Sequence, residues 1–364
     1  MSVSRLRIHK VRNITSAELE PARINIVHGR NGSGKTSILE AIYILGSGRS
    51  FRATQLQPVI QHNSPECTVF GQVHQEGDIA VPVGVQRKRD GALESRVQGA
   101  PVKRSAELAR RLPLLLINSD TFSLLEGSPK VRRQFLDWGV FHVEHSFHSS
   151  WVEVQRCLRQ RNSILRRDRI SADVLAPWDQ QLAREATALD AQRRQYFDAF
   201  YPIFFETLTE LIELDGLSLA YQRGWDKDRD LLDVLEEAYE RDAQRGYTGS
   251  GPHRADLRFR RHGLAAADVL SRGQQKLVVC AMKLAQAILV ERSTARKSVF
   301  LVDDLPAELD REHRRLMCRL LVRLNCQVFL TCVDAEELKD CWDNLPDDAL
   351  RLFHVEHGTV RQQT

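Results

Sequence analysis

The stretch Gly29-Arg30-Asn31-Gly32-Ser33-Gly34-Lys35-Thr36 decides how this chain folds. An apolar run at 24–28 precedes it, and apolar residues at helical spacing follow it between 38 and 45. A strand, a glycine-rich loop and a helix in this order are typical of a phosphate-binding loop, because glycines let consecutive backbone N–H groups turn toward the phosphates. The start of the helix adds its positive end. The predicted phosphate loop comprises Gly29, Arg30, Asn31, Gly32, Ser33, Gly34, Lys35, Thr36 and Ser37.

Two residues of the phosphate loop have the chemistry of a magnesium–nucleotide site. Lys35 is expected to reach the β- and γ-phosphates of ATP, and the Thr36 hydroxyl is expected to bind Mg²⁺. The alternative is a plain glycine turn, which would leave three glycines beside a Lys-Thr pair unexplained.

A second apolar run, at 299–302, ends in two carboxylates, Asp303 and Asp304. A carboxylate at the C-terminal end of a parallel strand lies beside the phosphate loop and can hold Mg²⁺. We therefore predict Asp303 as a metal ligand together with Thr36. We predict Asp304 as the catalytic residue that positions and deprotonates the attacking water. The alternative is that Asp304 is only a solvated residue at the end of the strand.

The segment Leu270-Ser271-Arg272-Gly273-Gln274-Gln275-Lys276 has the Ser-x-Gly-Gln form of an ABC-type ATPase signature. Ser271 and Gly273 precede a helical pattern, and such a helix start exposes N–H groups that bind anions. In ABC-type proteins this end binds the γ-phosphate of ATP held by the other subunit. The prediction is an ATP-dependent homodimer in which Ser271 and Gly273 bind ATP in trans and Ser271 joins Lys35 and Asp304 in catalysis. The alternative is an ordinary helix cap.

Three further regions can be compared with ABC-type sites: the D-loop, the switch-histidine position and the Q-loop position. Ala307-Glu308-Leu309-Asp310 follows the carboxylate pair as a D-loop does. Where a transporter ATPase has a switch histidine, this chain has Thr331, which is a weak candidate for sensing the γ-phosphate. Asn118 or Asp120 stands where the Q-loop glutamine is expected.

The pattern along the chain predicts an α/β fold with an inserted helical region. Residues 1–118 and 249–364 are expected to form the two parts of an ATPase lobe, and residues 119–248 a mainly helical second lobe whose helices are interrupted by prolines such as Pro177 and Pro202. Asp90-Gly91 predicts a hairpin turn, and 350–360 a terminal hairpin. Sustained heptads are absent, which argues against a long coiled coil.

Composition limits the class of protein. The 364 residues are 42% hydrophobic and 27% charged, with a formal net charge of +4. No apolar run is long enough for a membrane helix, and the seven cysteines are scattered, so we expect a cytoplasmic protein in a reducing environment. DNA binding would require locally clustered charge.

Clustered arginines supply candidates for DNA contact. Six arginines crowd one predicted helical stretch, Arg161 and Arg169 among them, and four share one broad face: Arg156, Arg159, Arg166 and Arg167. Further candidates lie at a predicted hairpin tip and near the phosphate loop, and they are Arg87, Lys88, Arg89, Arg49 and Arg52. The alternative for the helical stripe is a solvated face that pairs with nearby acids. Arg49 and Arg52 could instead contact ATP, or link ATP to DNA.

The ordered set of motifs resembles the RecF family of bacterial DNA replication and repair ATPases, which is related to the SMC head domains. The segments that carry the resemblance are the phosphate loop, 48–52, 135–144, 160–162, 251–257, the signature, Asp303-Asp304 and 308–310. Asp-Asp is usual in that family, whereas Ala255 and Pro306 are small departures.

The resemblance implies an ABC-type ATPase head, with a phosphate-loop sheet, an antiparallel β-subdomain, a helical second lobe and no long coiled coil. It implies ATP-dependent dimerisation on duplex DNA near single-stranded gaps or junctions. It also implies cooperation with RecR and RecO to load RecA, slow DNA-stimulated ATP hydrolysis, and a part in DNA repair, replication and the SOS response.

Two other functions fit part of the sequence. One is the ATPase subunit of a membrane transporter, which the helical insertion, the missing switch histidine and the segment Gly251-Pro252-His253-Arg254 argue against. The other is a structural SMC-like dimeriser with vestigial hydrolysis.

Overall fold

Two β-sheets with a helix between them form the first of two compact units. The computed structural model describes residues 1–53, 55, 57–74, 79–167, 172–342 and 345–363. The first unit comprises residues 1–122 and 276–364, and the second comprises residues 123–275. The first part of the chain contains β1 (Ser2–Val11), β2 (Ile14–Leu19), β3 (Ile24–His28), α1 (Lys35–Ser47), β4 (Glu66–His74), β5 (Ala80–Lys88), β6 (Leu93–Val97), β7 (Ala100–Pro101), α2 (Ser105–Arg111) and β8 (Leu114–Ile117).

The middle of the chain is mainly helical, as predicted. Its elements are α3 (Ser123–Glu126), α4 (Pro129–Val143), α5 (Phe147–Leu165), α6 (Ala172–Thr209), β9 (Leu217–Gln222), α7 (Leu231–Glu237), α8 (Tyr239–Arg245), β10 (Asp256–Arg261), β11 (Leu264–Ala265) and α9 (Ala266–Val269). The last part contains α10 (Arg272–Thr294), β12 (Val299–Val302), α11 (Leu305–Glu308), α12 (Arg311–Arg323), β13 (Gln327–Cys332), β14 (Leu350–Glu356) and β15 (Thr359–Gln363).

A mostly parallel sheet sets the position of the phosphate loop. Its strand order is β15-β14-β3-β13-β12-β8, and only β15 runs antiparallel to its neighbour. Strands β12 and β13 are buried along their whole length, which explains the apolar residues at 299–302 and 328–330. Because β3 and β12 are parallel members of one sheet, the residues that follow their carboxyl ends lie at the same edge.

The second sheet of the first unit is antiparallel, with the strand order β2-β1-β4-β5-β6-β7. Helix α1 is apolar on nearly all sides because it packs against both sheets. Its buried residues Ile38, Ile42 and Leu45 share one core with Val69 of the antiparallel sheet and Phe329 of the parallel sheet. The two predicted hairpins are present: a bond from the Gly91 N–H to the Lys88 carbonyl closes the β5–β6 turn, and β14 pairs with β15.

The second unit differs from its predicted outline in two respects. It comprises residues 123–275 rather than 119–248, and it extends beyond 248 because β10 pairs with β9 and β11 in a small antiparallel sheet within the unit. The prediction that prolines interrupt the helices is wrong for Pro177 and Pro202, since both lie inside the continuous helix α6. Within the described residues, no helix is both long and apolar enough to cross a membrane.

Candidate functional site

The phosphate loop connects β3 to α1 through backbone conformations that require glycine. Gly34, immediately before α1, has φ of 120°, and Gly29 has φ of 144°. A Cβ atom at Gly29 would lie 2.2 Å from the carbonyl oxygen of Val355, so a side chain is excluded there for lack of space as well. Lys35 Nζ donates to the carbonyl oxygens of Gly29 at 2.7 Å and Arg30 at 3.2 Å, so the lysine spans the loop it follows.

Thr36 and Asp303 meet at the edge of the parallel sheet, although they are far apart in sequence. The Thr36 hydroxyl lies 3.0 and 3.1 Å from the two carboxylate oxygens of Asp303. Hydroxyl and carboxylate oxygens are the hard ligands that Mg²⁺ takes in proteins. This pair therefore has the donor atoms that a Mg²⁺ site requires.

Thr331 occupies the position considered for a γ-phosphate sensor, but its hydroxyl has two partners within the protein. It donates to Asp303 Oδ1 at 2.7 Å and accepts from the backbone N–H of Asp304 at 2.7 Å. The residue is completely buried. Its hydroxyl thus holds the two carboxylate residues in place relative to each other.

Asp304 follows Asp303, the candidate metal ligand, and has a left-handed backbone conformation with φ of 54° and ψ of 50°. Burial raises the pKa of its carboxyl group, and the neighbouring Asp303 raises it further, whereas Lys35 acts in the opposite direction. A carboxylate with a raised pKa beside a phosphate loop is suited to accept a proton from water.

A cavity of about 740 Å³ brings these groups together. Predicted residues in its lining are Asn31, Gly32, Gly34, Lys35, Thr36, Ser37, Arg52, Arg89, Asp303, Asp304 and Thr331. The lining also contains residues that the sequence did not indicate, among them Arg12, Asn13 and His62. No motif marks these three residues, because they come from the turn after β1 and from the segment before β4.

Arg12 illustrates how the wall of this cavity is built. Its guanidinium makes a two-pronged ion pair with the fully buried Glu40 of α1, with both N–O distances at 2.8 Å. The hydrogen bond to Glu40 raises the pKa of Arg12. The turn after β1 is thereby attached to the helix that follows the phosphate loop.

In the second unit, Ser271 and Gly273 lie at the exposed start of α10. The backbone N–H of Gln274 donates to Ser271 Oγ at 3.3 Å, and the Ser271 N–H donates to Gln274 Oε1 at 3.0 Å. This reciprocal pair is a capping box, so the helix-cap interpretation of Ser271 is present in the structure. A Cβ at Gly273 would meet no described atom within 4 Å, so packing within the chain does not account for this glycine.

The D-loop candidate is held by an ion pair in the first unit. Lys276 Nζ lies 2.8 Å from Glu308 Oε2 and donates to the Glu308 carbonyl at 3.0 Å. Asp310 caps α12 by accepting from the His313 N–H. Asn118 and Asp120 are not among the described residues that line the cavity, and Asn118 Oδ1 instead accepts from the Thr121 N–H.

Of the predicted DNA contacts in the first unit, Arg87 requires correction. It does not lie at an exposed hairpin tip: it belongs to β5, is 7% exposed and donates to the carbonyl oxygen of Gly48. The alternation along β5 directs its side chain inward, whereas Lys88 is partly exposed and pairs with Glu94 at 2.5 Å. Arg49 and Arg52 are exposed.

The arginine stripe of α5 is exposed in the second unit. Arg156, Arg159, Arg166 and Arg167 all face solvent, while Arg161 between them is completely buried. Arg156 pairs with Glu153 at 2.9 Å, and Arg166 donates to the Gly246 carbonyl at 3.2 Å. Arg169 lies outside the described residues.

The sequence is similar to known proteins over its whole length. Residues 2–361 match the family model for the RecF/RecN/SMC N terminal domain. The chain is 54% identical over 365 aligned residues to the DNA replication and repair protein RecF of Pseudomonas aeruginosa, which covers 100% of this chain and 98% of that protein. It is also 54% identical to the RecF protein of Azotobacter vinelandii over 363 residues, with 100% and 99% covered.

The fold is similar to two groups of solved structures. A structure of the recombination mediator protein RecF with ATPrS, of the RecFOR pathway, superimposes with a TM-score of 0.86 at 22% identity and covers 100% of this chain and 98% of that one. An Smc head bound to the C-winged helix domain of ScpA gives a TM-score of 0.58 at 14% identity, with 100% and 97% covered. The predicted ABC-type ATPase head with a helical insertion is therefore confirmed.

Proposed function

The chain belongs to the RecF family of DNA replication and repair proteins, and on this premise we propose that it is an ATP-switched DNA-binding protein of recombinational repair. The observation that carries the proposal is the convergence of Lys35, Thr36, Asp303 and Asp304 on one cavity. The family membership argues against the transporter alternative. Action on chromosomal DNA would place the protein in the cytoplasm.

In the proposed nucleotide site, each residue has a separate task. Backbone N–H groups of the phosphate loop and Lys35 bind the phosphates of ATP, while Thr36 and Asp303 hold Mg²⁺. When bound, Mg²⁺ would neutralise charge on the β- and γ-phosphate oxygens. Asp304 orients the attacking water and accepts its proton. An aspartate is one methylene shorter than the glutamate of many ABC-type sites, so hydrolysis is expected to be slow.

Hydrolysis is proposed to require a second copy of the chain. Ser271 and Gly273 are exposed at the start of α10, where free N–H groups can bind the γ-phosphate of ATP held by the partner. ATP would thereby become part of a homodimer interface, and hydrolysis would open the dimer.

DNA and the mediator proteins are the proposed partners. The solved relatives are described as components of the RecFOR pathway, and by this relationship we expect binding to duplex DNA beside single-stranded gaps. We also expect cooperation with RecO and RecR to load RecA. The exposed arginines of α5 could contact phosphates without sequence preference.

Sedimentation with ATP and gapped DNA tests the proposal. The unmutated chain is expected to dimerise only when ATP is present. Lys35→Met removes the phosphate ligand and Ser271→Arg places a large cation at the trans contact, so both variants should remain monomeric. Lys297→Met, at a partly exposed lysine that lies 3.8 Å from Glu291, serves as the control and should dimerise normally.

Two outcomes would contradict the shared site. One is dimerisation that is indifferent to ATP, and the other is an intact Ser271→Arg dimer. Measuring phosphate release from the same samples separates the slow ATPase from a structural dimeriser, because the latter would show no turnover even with DNA present.

A further inference from the structure

The side chain of Asn13 connects the turn between β1 and β2 to the phosphate loop. Its Nδ2 donates to the Ser33 carbonyl at 2.9 Å, with a longer approach of 3.4 Å to the Gly32 carbonyl. Its Oδ1 accepts from the Ser37 hydroxyl at 3.1 Å. One amide thus bonds to the loop on one side and to the first turn of α1 on the other, and these partners determine which amide atom is the donor.

The turn between β14 and β15 contacts the same loop carbonyl. The backbone N–H of Gly358 donates to the Ser33 oxygen at 2.8 Å. Gly358 has φ of 78°, and a Cβ atom there would lie 2.1 Å from the carbonyl oxygen of Asn13. The two turns therefore touch each other as well as the loop. This turn follows the segment Phe353-His354-Val355-Glu356-His357, whose sequence recurs at 141–145, where the helix α4 ends.

These two bonds fix the direction of one peptide unit. The carbonyl of Ser33 accepts from both Asn13 and Gly358, which uses both of its lone pairs. In a trans peptide the C=O and N–H groups point in opposite directions. Holding the Ser33 carbonyl toward the two turns therefore directs the Gly34 N–H away from them, and Gly34 lines the cavity.

We propose that Asn13, supported by the Gly358 turn, is a positioning residue that holds the phosphate loop in its anion-binding conformation. The inference rests on the proposed nucleotide-binding function. Asn13 bonds to backbone carbonyls of the loop and does not touch the reacting atoms. We therefore expect Asn13 to affect the binding of the phosphates and not the chemical step. The C-terminal hairpin is accordingly a part of the nucleotide site.

Variants that remove, alter or displace this contact test the proposal. Asn13→Ala removes both bonds of the amide, and Asn13→Asp replaces the donor with an anionic oxygen that faces two carbonyl oxygens. Gly358→Ala forces the turns apart. Gly99→Ala is the matched control, because Gly99 also lies in a hairpin turn with φ of 80°, but a Cβ there would meet no described atom within 4 Å.

Titration with fluorescent ATP and ADP, together with steady-state hydrolysis, measures the effect. We expect Asn13→Ala to bind both nucleotides about 30-fold more weakly, the scale of two lost hydrogen bonds. Asn13→Asp and Gly358→Ala should bind more weakly as well, and Gly99→Ala should match the unmutated chain. At saturating ATP the kcat of Asn13→Ala should return to within about twofold of the unmutated value, because the loss falls on KM.

The possible outcomes separate this inference from the function on which it rests. Unchanged binding in Asn13→Ala, equal effects of Gly358→Ala and Gly99→Ala, or a loss confined to kcat would overturn the positioning role alone. Failure of the unmutated chain to bind ATP would overturn the proposed function and this inference with it.

Discussion

Asp304 has a backbone conformation that residues with side chains rarely adopt, with φ of 54° and ψ of 50°. A left-handed residue of this kind costs on the order of 1–3 kcal/mol and persists only when its surroundings hold it. The Thr331 hydroxyl does so by accepting the Asp304 N–H while donating to Asp303. One hydroxyl group therefore connects the two carboxylate residues.

Thr331→Val is expected to slow ATP hydrolysis about 10- to 100-fold while ATP affinity changes little. Valine keeps the shape of threonine but leaves the Asp304 N–H and one Asp303 oxygen without this partner. Phosphate release with gapped DNA measures the effect. Thr294→Val is the control, since the Thr294 hydroxyl donates to the Val290 carbonyl of its own helix and accepts from the Arg296 N–H, and neither contact involves the carboxylate pair. Undiminished turnover in Thr331→Val would show that Asp304 is held by other contacts.

His253 is a second residue whose environment sets its chemistry. Its Nε2 donates to the Thr248 carbonyl at 2.9 Å, while its Nδ1 is buried without a hydrogen-bond partner among the described residues. Burial, together with the positive charges of Arg254 and Arg133, lowers the pKa of His253 to about 4, although the hydrogen bond to Thr248 acts in the opposite direction. The neutral ring is therefore the form that the folded protein accommodates.

Acidification should destabilise the protein through His253. Because the folded-state pKa is about 4 and the ordinary value is 6.5, the unfolded chain takes up the proton first. The free energy of unfolding should fall between pH 6.5 and 4, by on the order of 3 kcal/mol for this group. Urea unfolding across that range, compared between the unmutated chain and His253→Asn, measures the contribution of His253 to this pH dependence.

The exposed His9 supplies the control for this measurement. His9→Asn should keep the pH dependence of the unmutated chain, whereas His253→Asn should flatten it. Parallel curves for all three proteins would contradict the assignment to His253.

At the scale of elements, α6 shows how packing overrides a local signal. Proline removes one helical hydrogen bond and crowds the preceding turn, yet α6 continues through Pro177 and Pro202. Tyr196, Phe200 and Phe204 lie on one face of this helix and are at most 2% exposed, with successive ring centroids 5.9 and 5.8 Å apart. Burial of these rings on both sides of Pro202 offsets the cost of the lost bond.

Arg161 joins three helices of the second unit. Its Nε lies 2.6 Å from Asp179 of α6, and its Nη1 lies 2.7 Å from Asp242 of α8 and 3.0 Å from the Thr248 hydroxyl. The arginine and Asp242 are fully buried. Burial raises the pKa of Asp179, and Arg161 opposes this rise. The guanidinium is thus the counter-ion for two carboxylates that water scarcely reaches.

Arg161→Met should destabilise the second unit by about 3–5 kcal/mol, because it leaves two buried carboxylates without their counter-ion. The shift of the urea unfolding midpoint measures the change. Arg159→Met, two residues away on the same helix but exposed, should shift it by less than about 0.5 kcal/mol. Equal shifts in the two variants would mean that Arg161 contributes no more than a surface charge.

At the scale of the whole molecule, the net charge of +4 is too small to attract DNA over the entire surface. The exposed arginines along and after α5 concentrate positive charge locally. Arg159 bonds only to a backbone carbonyl of its own helix in the contacts described, and Arg167 is exposed. These two side chains are therefore the best placed of the set to meet phosphates.

The double variant Arg159→Ala/Arg167→Ala should weaken binding to any duplex sequence. It should also reduce the slope of log affinity against log salt by about 2, since each lost phosphate contact releases about one counter-ion fewer. Fluorescence anisotropy at several salt concentrations measures both quantities. Arg184→Ala/Arg319→Ala changes the net charge equally at other exposed sites, and an equal loss of slope there would refute a local contact surface.

The phosphate loop, the carboxylate pair, the arginine stripe and the order of motifs that gives the family can all be recognised in the sequence alone. These features depend on contiguous residues, whose chemistry and backbone preferences are local. The α/β class and most strands and helices could be predicted for the same reason. The sequence did not indicate that Arg87 lies on the buried side of β5. It also did not indicate that packing of the apolar face of α6 keeps that helix continuous through its prolines.

The contacts that hold the site together become visible only once the chain is folded. Asn13 and Gly358 lie at opposite ends of the chain, yet both bond to the Ser33 carbonyl, and Thr331 joins Asp303 to Asp304. Arg159 and Arg161 are two residues apart, but one is exposed and the other is a buried counter-ion. A hydrogen bond between distant segments depends on where the sheets and helices pack, and no local pattern of residues encodes that distance.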